Sequence, residues 1–138
     1  MKGRVLAIDL GEKTMGIALS DEERITAQPL TTIQRVGIKK DMGAIAQLVE
    51  KHDVKEIVLG LPLHMDGSQS PMSLQVEEFA RRLSGRVGIP IHTWDERLST
   101  VIAEKALLEG DASRKKRKEV IDQVAATIIL QGWLHAQP

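Results

Sequence analysis

The stretch RVLAIDLGEKTMGIALS, residues 4–20, decides the fold. Its runs 4–10 and 14–20 are rich in aliphatic and β-branched side chains, which predicts two strands. The link 11–13 is short enough to favour an antiparallel pair. One carboxylate, Asp9, interrupts the first strand, and an unpaired buried carboxylate costs several kcal/mol. Asp9 therefore needs a compensating partner or a chemical role.

The rest of the chain predicts a mixed sheet with helices on both faces. Hydrophobic periodicity and turn residues indicate a strand over roughly 24–34, a helix over 41–52, a strand over 54–61, a helix that begins after a Ser70 cap and ends at Gly85 and Gly88, a strand over 89–94, a helix from Ser99 or Thr100 to about Glu109, and a last helix from Glu119 to Leu134. Three strands followed by alternating helices and strands predict an α/β fold. Its five-stranded sheet combines a three-stranded antiparallel meander with two parallel strands.

Composition narrows the function. A chain of 138 residues suits one domain over 1–138, and the absence of cysteine excludes disulfides and thiolate-bound metals. The 19 basic and 19 acidic side chains cancel, which argues against a uniformly positive surface. Only three aromatic residues are present, too few for a ladder of base-stacking rings. Without a membrane-length apolar stretch or a signal peptide, we expect a cytoplasmic protein.

Acidic residues follow the predicted parallel strands where those strands end. Asp9 lies in the first strand, and Asp95 and Glu96 come directly after the strand over 89–94. In sheets of this kind, ligands and catalytic groups gather at the carboxyl ends of the parallel strands. The last helix adds Asp122 within an otherwise apolar sector. We therefore expect these carboxylates to converge at one edge of the sheet.

Two small residues one turn beyond Asp122, Ala125 and Ala126, would let the last helix lie close to the sheet. Asp9, Glu96 and Asp122 then form a set of hard oxygen ligands, with Asp95 in reserve, which suits Mg²⁺ or Mn²⁺. Two such ions, roughly 3.5–4 Å apart, activate water and stabilise the leaving oxygen in phosphodiester hydrolysis.

A structural interpretation of each acid stays open beside this one. Asp9 could pair with Lys13, Asp95 or Glu96 could cap the helix that begins near Ser99, and Asp122 could pair with a lysine of the 115–118 run. Convergence on one sheet edge favours the metal site.

Basic residues beside the predicted site are candidates for nucleic-acid binding. The stretch GDASRKKRK, residues 110–118, predicts an exposed loop, for which a solvated charged surface is the commoner meaning. Next to a phosphodiesterase centre we favour phosphate binding with salt-sensitive affinity. The candidates are Lys13, Arg97, Arg114, Lys115, Lys116, Arg117 and Lys118. For Lys13 and Arg97, a salt bridge to Glu12 or Glu96 is the alternative.

The segment PLHMDGSQS, residues 62–70, follows the end of another predicted parallel strand. Asp66 and Gly67 predict a turn, and Ser70 predicts a helix cap. The position of this loop past a strand end also makes it a candidate rim for the substrate. His64 is an additional candidate for phosphate contact or proton relay.

Four motifs together resemble one protein family. They are Asp9-Leu10-Gly11 with Gly16-Ile17-Ala18, GLPLHMDGSQS at 60–70, DERLST at 95–100, and Lys118 with Asp122, Ala125 and Ala126. In this order, over nearly the whole chain, they resemble the YqgF family of pre-16S ribosomal RNA nucleases. That family is similar to the RuvC-type Holliday-junction resolvases, which have an RNase H-like fold.

The resemblance implies a metal-dependent, cytoplasmic nuclease of ribosome biogenesis that processes the 5′ end of pre-16S rRNA. It also places Asp9, Glu96 and Asp122 at positions that match the resolvase metal ligands. A RuvC-type resolvase carries a fourth acid near the position of Asp122, whereas this chain has Ala125 and Ala126 there. Asp95 or Glu119 could take the place of that fourth acid.

Two alternatives to pre-16S rRNA processing remain open at this point. One is a Holliday-junction-type resolvase that acts on branched DNA. The other is a non-catalytic factor that binds ribosomal RNA or a transcription complex.

Overall fold

A computed structural model describes the backbone of residues 2–98 and 114–138, with the side chains of 2–98 and 119–138. The regular elements are β1 (Arg4–Leu10), β2 (Thr14–Ser20), β3 (Ala27–Gln34), α1 (Ile38–Lys51), β4 (Val54–Leu61), α2 (Pro71–Val87), β5 (Ile91–Asp95), a single 3-10 turn (Glu96–Leu98) and α3 (Arg114–Ala136). Within these described ranges, no helix is long and apolar enough to cross a membrane.

The strands form one five-stranded sheet in the order β3-β2-β1-β4-β5. The β1–β2 and β2–β3 pairs are antiparallel, and the β1–β4 and β4–β5 pairs are parallel. This confirms the predicted combination of a meander with two parallel strands. It also places the carboxyl ends of β1, β4 and β5 at the same edge of the sheet.

The two faces of the sheet carry different side chains. On one face, bulky residues such as Leu6 and Ile8 of β1 pack against α1 and α2. On the other face, small residues such as Ala7 of β1 and Ala18 of β2 pack against α3. Because neighbouring residues of a strand point to opposite faces, β1 supplies both layers, and Asp9 shares the face of Ala7.

Local sequence signals account for the ends of α2. The Ser70 side chain accepts a hydrogen bond from the Ser73 backbone N–H at 2.9 Å, and the Ser73 hydroxyl accepts one from Ser70 N at 2.8 Å. This reciprocal capping box, followed by Pro71, confirms the predicted start. The helix ends at Gly88, which has φ 68°, so Gly85 lies inside it and not at its end.

The structure corrects one prediction about the basic run. Residues 114–118 were expected in an exposed loop, but α3 begins at Arg114, so they form its first turns. Lysine and arginine are good helix formers, and a run of charge is compatible with either state. The remainder of that loop and the helix predicted from Ser99 or Thr100 to Glu109 lie outside the described residues.

Candidate active site

Asp9 stands in the middle of a row of small residues that crosses the sheet. On one side it pairs with Gly16 of β2. On the other side, the β1–β4 register pairs Ile8 with Leu59, and its continuation brings Gly60 beside Asp9. Asp9 is only 4% exposed. The carboxylate therefore projects from the sheet between two positions that carry no side chain.

Gly16 lets α3 contact the backbone of β2. A Cβ at this position would lie 1.9 Å from the carbonyl oxygen of Asp122 and 2.8 Å from its Cβ. Glycine inside a strand commonly marks such a close backbone approach. The predicted packing of Ala125 and Ala126 agrees with this contact, because both are buried against the sheet. Asp122 is thereby held over the strand next to Asp9, and its side chain is 7% exposed.

Gly60 has the corresponding role on the other side of Asp9. A Cβ here would lie 3.3 Å from the carboxyl carbon of Glu96 and 2.4 Å from Cδ1 of Ile129 in α3. Glu96 begins the 3-10 turn after β5 and is 3% exposed. Glu96 and Asp122 thus lie over the two strands that flank β1, and adjacent strands are about 4.8 Å apart.

The Asp122 carboxylate has a direct partner on β2. The buried hydroxyl of Thr14, the first residue of that strand, donates a hydrogen bond to Asp122 Oδ2. Sequence reasoning did not identify Thr14, since the two residues lie 108 positions apart. Its place at the start of β2, two residues before Gly16 on the same face, was the available signal.

Three buried carboxylates therefore occupy one region of one sheet face, but their ligation of metal stays a prediction. Among the described residues, no group of three His, Cys, Asp or Glu side chains is arranged as a metal-binding cluster. The site comprises Asp9, Glu96 and Asp122 with their two glycine neighbours.

Asp95, the reserve ligand, forms an ion pair with Arg97. The Arg97 Nη2 donates to Asp95 Oδ2 at 2.7 Å, and the Arg97 backbone N–H donates to Oδ1 at 2.9 Å. These hydrogen bonds lower the pKa of Asp95 and raise the pKa of Arg97. In the β4–β5 ladder, Asp95 pairs with Leu61, and the preceding pair is Gly60 with Trp94. The side chain of Asp95 therefore lies on the sheet face opposite the one that carries Trp94.

Arg97 also reaches the loop that follows β4. Its Nη1 donates to the carbonyl of Met65 at 3.3 Å, and its guanidinium would contact a Cβ at Gly67. This arrangement ties the loop to the segment that carries Glu96. The predicted phosphate contact of Arg97 therefore competes with two protein contacts.

The loop 62–70 contains the predicted turn. Gly67 has φ 88°, and its N–H donates to the carbonyl of His64 at 2.8 Å. Hydrogen bonds from the Ser68 hydroxyl and backbone N–H lower the pKa of Asp66. His64 and Met65 are exposed at the tip of this turn, so both can meet a large substrate.

The other candidates for phosphate binding are Lys13 and residues 114–118. Lys13 is exposed in the turn between β1 and β2. Residues 114–118 form the first turns of α3, ahead of Asp122, and their side chains lie outside the described part of the chain.

Comparison with known proteins gives three consistent results. Residues 3–136 match the family described as RuvX, Holliday junction resolvase. A protein of Myxococcus xanthus named "Putative pre-16S rRNA nuclease" is 51% identical over 133 residues, covering 96% of this chain and 88% of that protein. A protein of the same name from Paracoccus denitrificans is 53% identical over 132 residues, covering 96% of this chain and 84% of that protein.

Solved structures support the fold. Thermus thermophilus RuvC in complex with a Holliday junction substrate matches with a TM-score of 0.60 and 10% identity, covering 96% of this chain and 95% of that one. A second T. thermophilus RuvC structure matches with a TM-score of 0.54 and 12% identity. At these identities the likeness shows a shared RNase H-like fold, as the motifs implied.

Proposed function

Because the chain belongs to the RuvX family of Holliday junction resolvases, we propose that it is a metal-dependent nuclease that processes the 5′ end of pre-16S rRNA. The chain is a phosphodiester-hydrolysing enzyme, and nucleic acid is its substrate class. The observation that carries the proposal is the position of buried Asp9 between Gly16 and Gly60, with Asp122 and Glu96 held over those glycines.

The chemistry of the donor atoms suits Mg²⁺ or Mn²⁺. Asp9, Glu96 and Asp122 offer carboxylate oxygens, and hard divalent cations prefer such ligands. A cation also compensates the cost of burying several like charges together. Bound Mg²⁺ or Mn²⁺ would supply activation of the attacking water and stabilisation of the leaving oxygen.

The residues of the chain position the reaction. Asp9 is fixed by a central strand that is paired on both sides, so its carboxylate has a rigid support. Residues 114–118 form the first turns of α3 and precede Asp122 by one to two helical turns. Their basic residue types suit binding of the phosphates of a nucleic-acid substrate. Lys13 and His64, both exposed, extend this binding surface.

RNA is the favoured substrate because relatives that are 51% and 53% identical to this chain are named as pre-16S rRNA nucleases. A second candidate is a factor that binds ribosomal RNA or a transcription complex without cleaving it. That candidate is favoured by Ala125 and Ala126, which are buried where a RuvC-type resolvase carries a further acid.

Cleavage assays separate these functions. The purified chain is incubated with RNA that carries the 5′ extension of 16S rRNA, and with a Holliday junction, each with Mg²⁺, Mn²⁺ or EDTA. We expect metal-dependent RNA cleavage that Asp9→Asn and Asp122→Asn slow by orders of magnitude. Asp53→Asn is the matched control, since Asp53 is exposed and lies at the amino end of β4.

Three other results would contradict the metal site, the catalytic activity or the RNA substrate. Cleavage that survives both substitutions would overturn the assigned metal site. RNA binding without cleavage by any form would favour the non-catalytic factor, and cleavage of the junction alone would favour a DNA resolvase.

A further inference from the structure

Thr14 stands at the point where the β1–β2 turn meets α3. Its hydroxyl is buried and donates to Oδ2 of Asp122. The pair joins the first residue of β2 to the acid that the proposed function assigns to the metal site. A hydroxyl that fixes the orientation of a ligating carboxylate has a recognised effect on metal sites.

We propose that Thr14 is a positioning residue for Asp122. By holding Oδ2, the hydroxyl restricts rotation of the carboxylate and fixes the direction in which its second oxygen points. This inference rests on the proposed function, because it assumes that Asp122 binds the metal. It assigns Thr14 no contact with the substrate or with the reacting atoms.

Hydrogen bonds in and around the β1–β2 turn hold Thr14, the donor, in place. The carbonyl of Thr14 accepts the Gly11 N–H at 2.9 Å, and Arg35 Nη1 donates to the carbonyl of Gly11 at 2.8 Å. The Arg35 Nε in turn donates to Asp41 at 3.1 Å, an acid that is 1% exposed. Thr14 is therefore part of a stiff turn, and a stiff donor is what orientation of a carboxylate requires.

Other contacts already dock α3 on the sheet. Asp122 touches Gly16 through backbone atoms, and the helix buries Ile129 and Leu130 in the core of this face. A second threonine, Thr32 of β3, donates to the Glu119 carbonyl at 3.0 Å and accepts from Gln123 at 3.0 Å. The Thr14 hydroxyl differs from all of these contacts because it meets a carboxylate of the site.

Thr32 supplies the matched control. Thr14→Val and Thr32→Val each remove one hydroxyl that tethers α3 to the sheet, but the Thr14 variant alone removes a contact with Asp122. Thr14→Ser keeps the hydroxyl and loses a methyl group. Thr14→Ala deletes the hydroxyl a second way, so the comparison survives if the valine variant does not fold.

The measurement is Mn²⁺ affinity, by calorimetry or by electron paramagnetic resonance of free Mn²⁺, with urea unfolding and RNA cleavage alongside. We expect Thr14→Val and Thr14→Ala to weaken Mn²⁺ binding about 10- to 100-fold, the range typical of lost partners of metal ligands. Thr14→Ser is expected to stay within about threefold of the unsubstituted chain, because it preserves the hydrogen bond. Thr32→Val is expected to lower stability and to leave the affinity unchanged.

The outcomes separate this inference from the proposed function. If Asp122→Asn binds Mn²⁺ as tightly as the unsubstituted chain, the proposed metal site is wrong whatever Thr14 does. If Asp122→Asn abolishes binding while both hydroxyl deletions leave it intact, the role of Thr14 alone is wrong. Equal losses for the Thr14 and Thr32 variants would also overturn it, since they would show a general effect of loosening α3.

Discussion

The two faces of the sheet pack against their helices in different ways, although the same strands form both faces. Against α1 and α2, large side chains such as Ile8 and Phe79 fill the space between the layers. Against α3, alanine and glycine bring the helix into backbone contact with the sheet, and buried acids occupy one end of that face. Bulky packing tolerates some adjustment of side chains, whereas backbone contact leaves little freedom.

The difference explains where a site can form. In the middle of the α1 and α2 face, an acid would be surrounded by aliphatic groups, at a cost of several kcal/mol. Asp95 lies on this face at the end of the edge strand β5, where it pairs with Arg97. On the α3 face, the absence of side chains at Gly16 and Gly60 gives the carboxylates of Asp122 and Glu96 room beside Asp9. We therefore expect substitutions on the first face to change stability and substitutions on the second to change chemistry.

The largest effect is expected for Asp9→Asn. Loss of one charged ligand should reduce the rate of RNA cleavage about a thousandfold, which corresponds to roughly 4 kcal/mol of transition-state stabilisation. Single-turnover cleavage measures this rate, and urea unfolding shows whether the variant is folded. A cleavage rate close to that of the unsubstituted chain would mean that Asp9 is not a metal ligand.

Ile8→Ala is the counterpart on the other face, one residue away. Ile8 is fully buried among large side chains, so its truncation should lower the free energy of unfolding by about 2–5 kcal/mol. Activity per folded molecule should remain within a fewfold of the unsubstituted chain, since Ile8 points away from the acids. Chemical denaturation gives the first value, and cleavage at a temperature well below the melting point gives the second. A drop in activity as large as that of Asp9→Asn would erase the distinction between the faces.

Most of the sheet and the close packing of the last helix were predictable from the sequence. The predominantly apolar runs over 4–10, 14–20 and 54–61 predict β1, β2 and β4 with correct bounds. Asp122 was recognisable as an acid in an apolar helix sector beside small residues. These signals are local, because they depend on periodicity and on residue size.

Other features depend on contacts between distant segments. The partnership of Thr14 with Asp122 joins opposite ends of the chain, and no pattern near either residue reveals it. The ion pair of Asp95 with Arg97 was not predicted, because each residue type has several possible partners at the end of a strand. The start of α3 at Arg114 was missed because a basic run fits a loop and a helix equally well.

Gly60→Ala tests whether one glycine determines both the packing of α3 and the position of Glu96. The added Cβ would meet Ile129 Cδ1, which can move, and the carboxyl carbon of Glu96. We expect a loss of about 1–3 kcal/mol in the free energy of unfolding, together with slower cleavage as Glu96 is displaced. The control is Gly85→Ala in α2, where no other described residue outside the local helix backbone lies within 4 Å of the new Cβ. That variant should gain about 0.5–1 kcal/mol from helix propensity and keep full activity. Equal behaviour of the two variants would contradict the close packing at Gly60.

The smallest effect concerns an acid on the same face as Gly60 but at the amino end of β4. Glu56 accepts a hydrogen bond from Arg24, and its Oε1 lies 2.8 Å from His92 Nε2. The His92 ring packs on Trp133 of α3. Burial raises the pKa of Glu56, but the hydrogen bonds from His92 and Arg24 outweigh it and hold the pKa below its ordinary value. Arg24 supplies a protein cation for this acid, and for the acids around Asp9 we propose metal.

The sign of the pH dependence follows from that lowered pKa. Glu56 contributes stability above its unfolded pKa of about 4.3, and the contribution disappears as the pH falls through the lower folded value. Glu56→Gln should therefore cost about 1 kcal/mol at neutral pH and progressively less in acid, because a protonated glutamate resembles glutamine. Urea unfolding from pH 3 to pH 7 measures the difference, with the exposed Asp53→Asn as a control for the loss of a surface carboxylate. Added Mn²⁺ should stabilise both variants equally, since neither residue lies at the proposed metal site. A Mn²⁺ effect that depends on Glu56 would mean that the two ends of this face do not act independently.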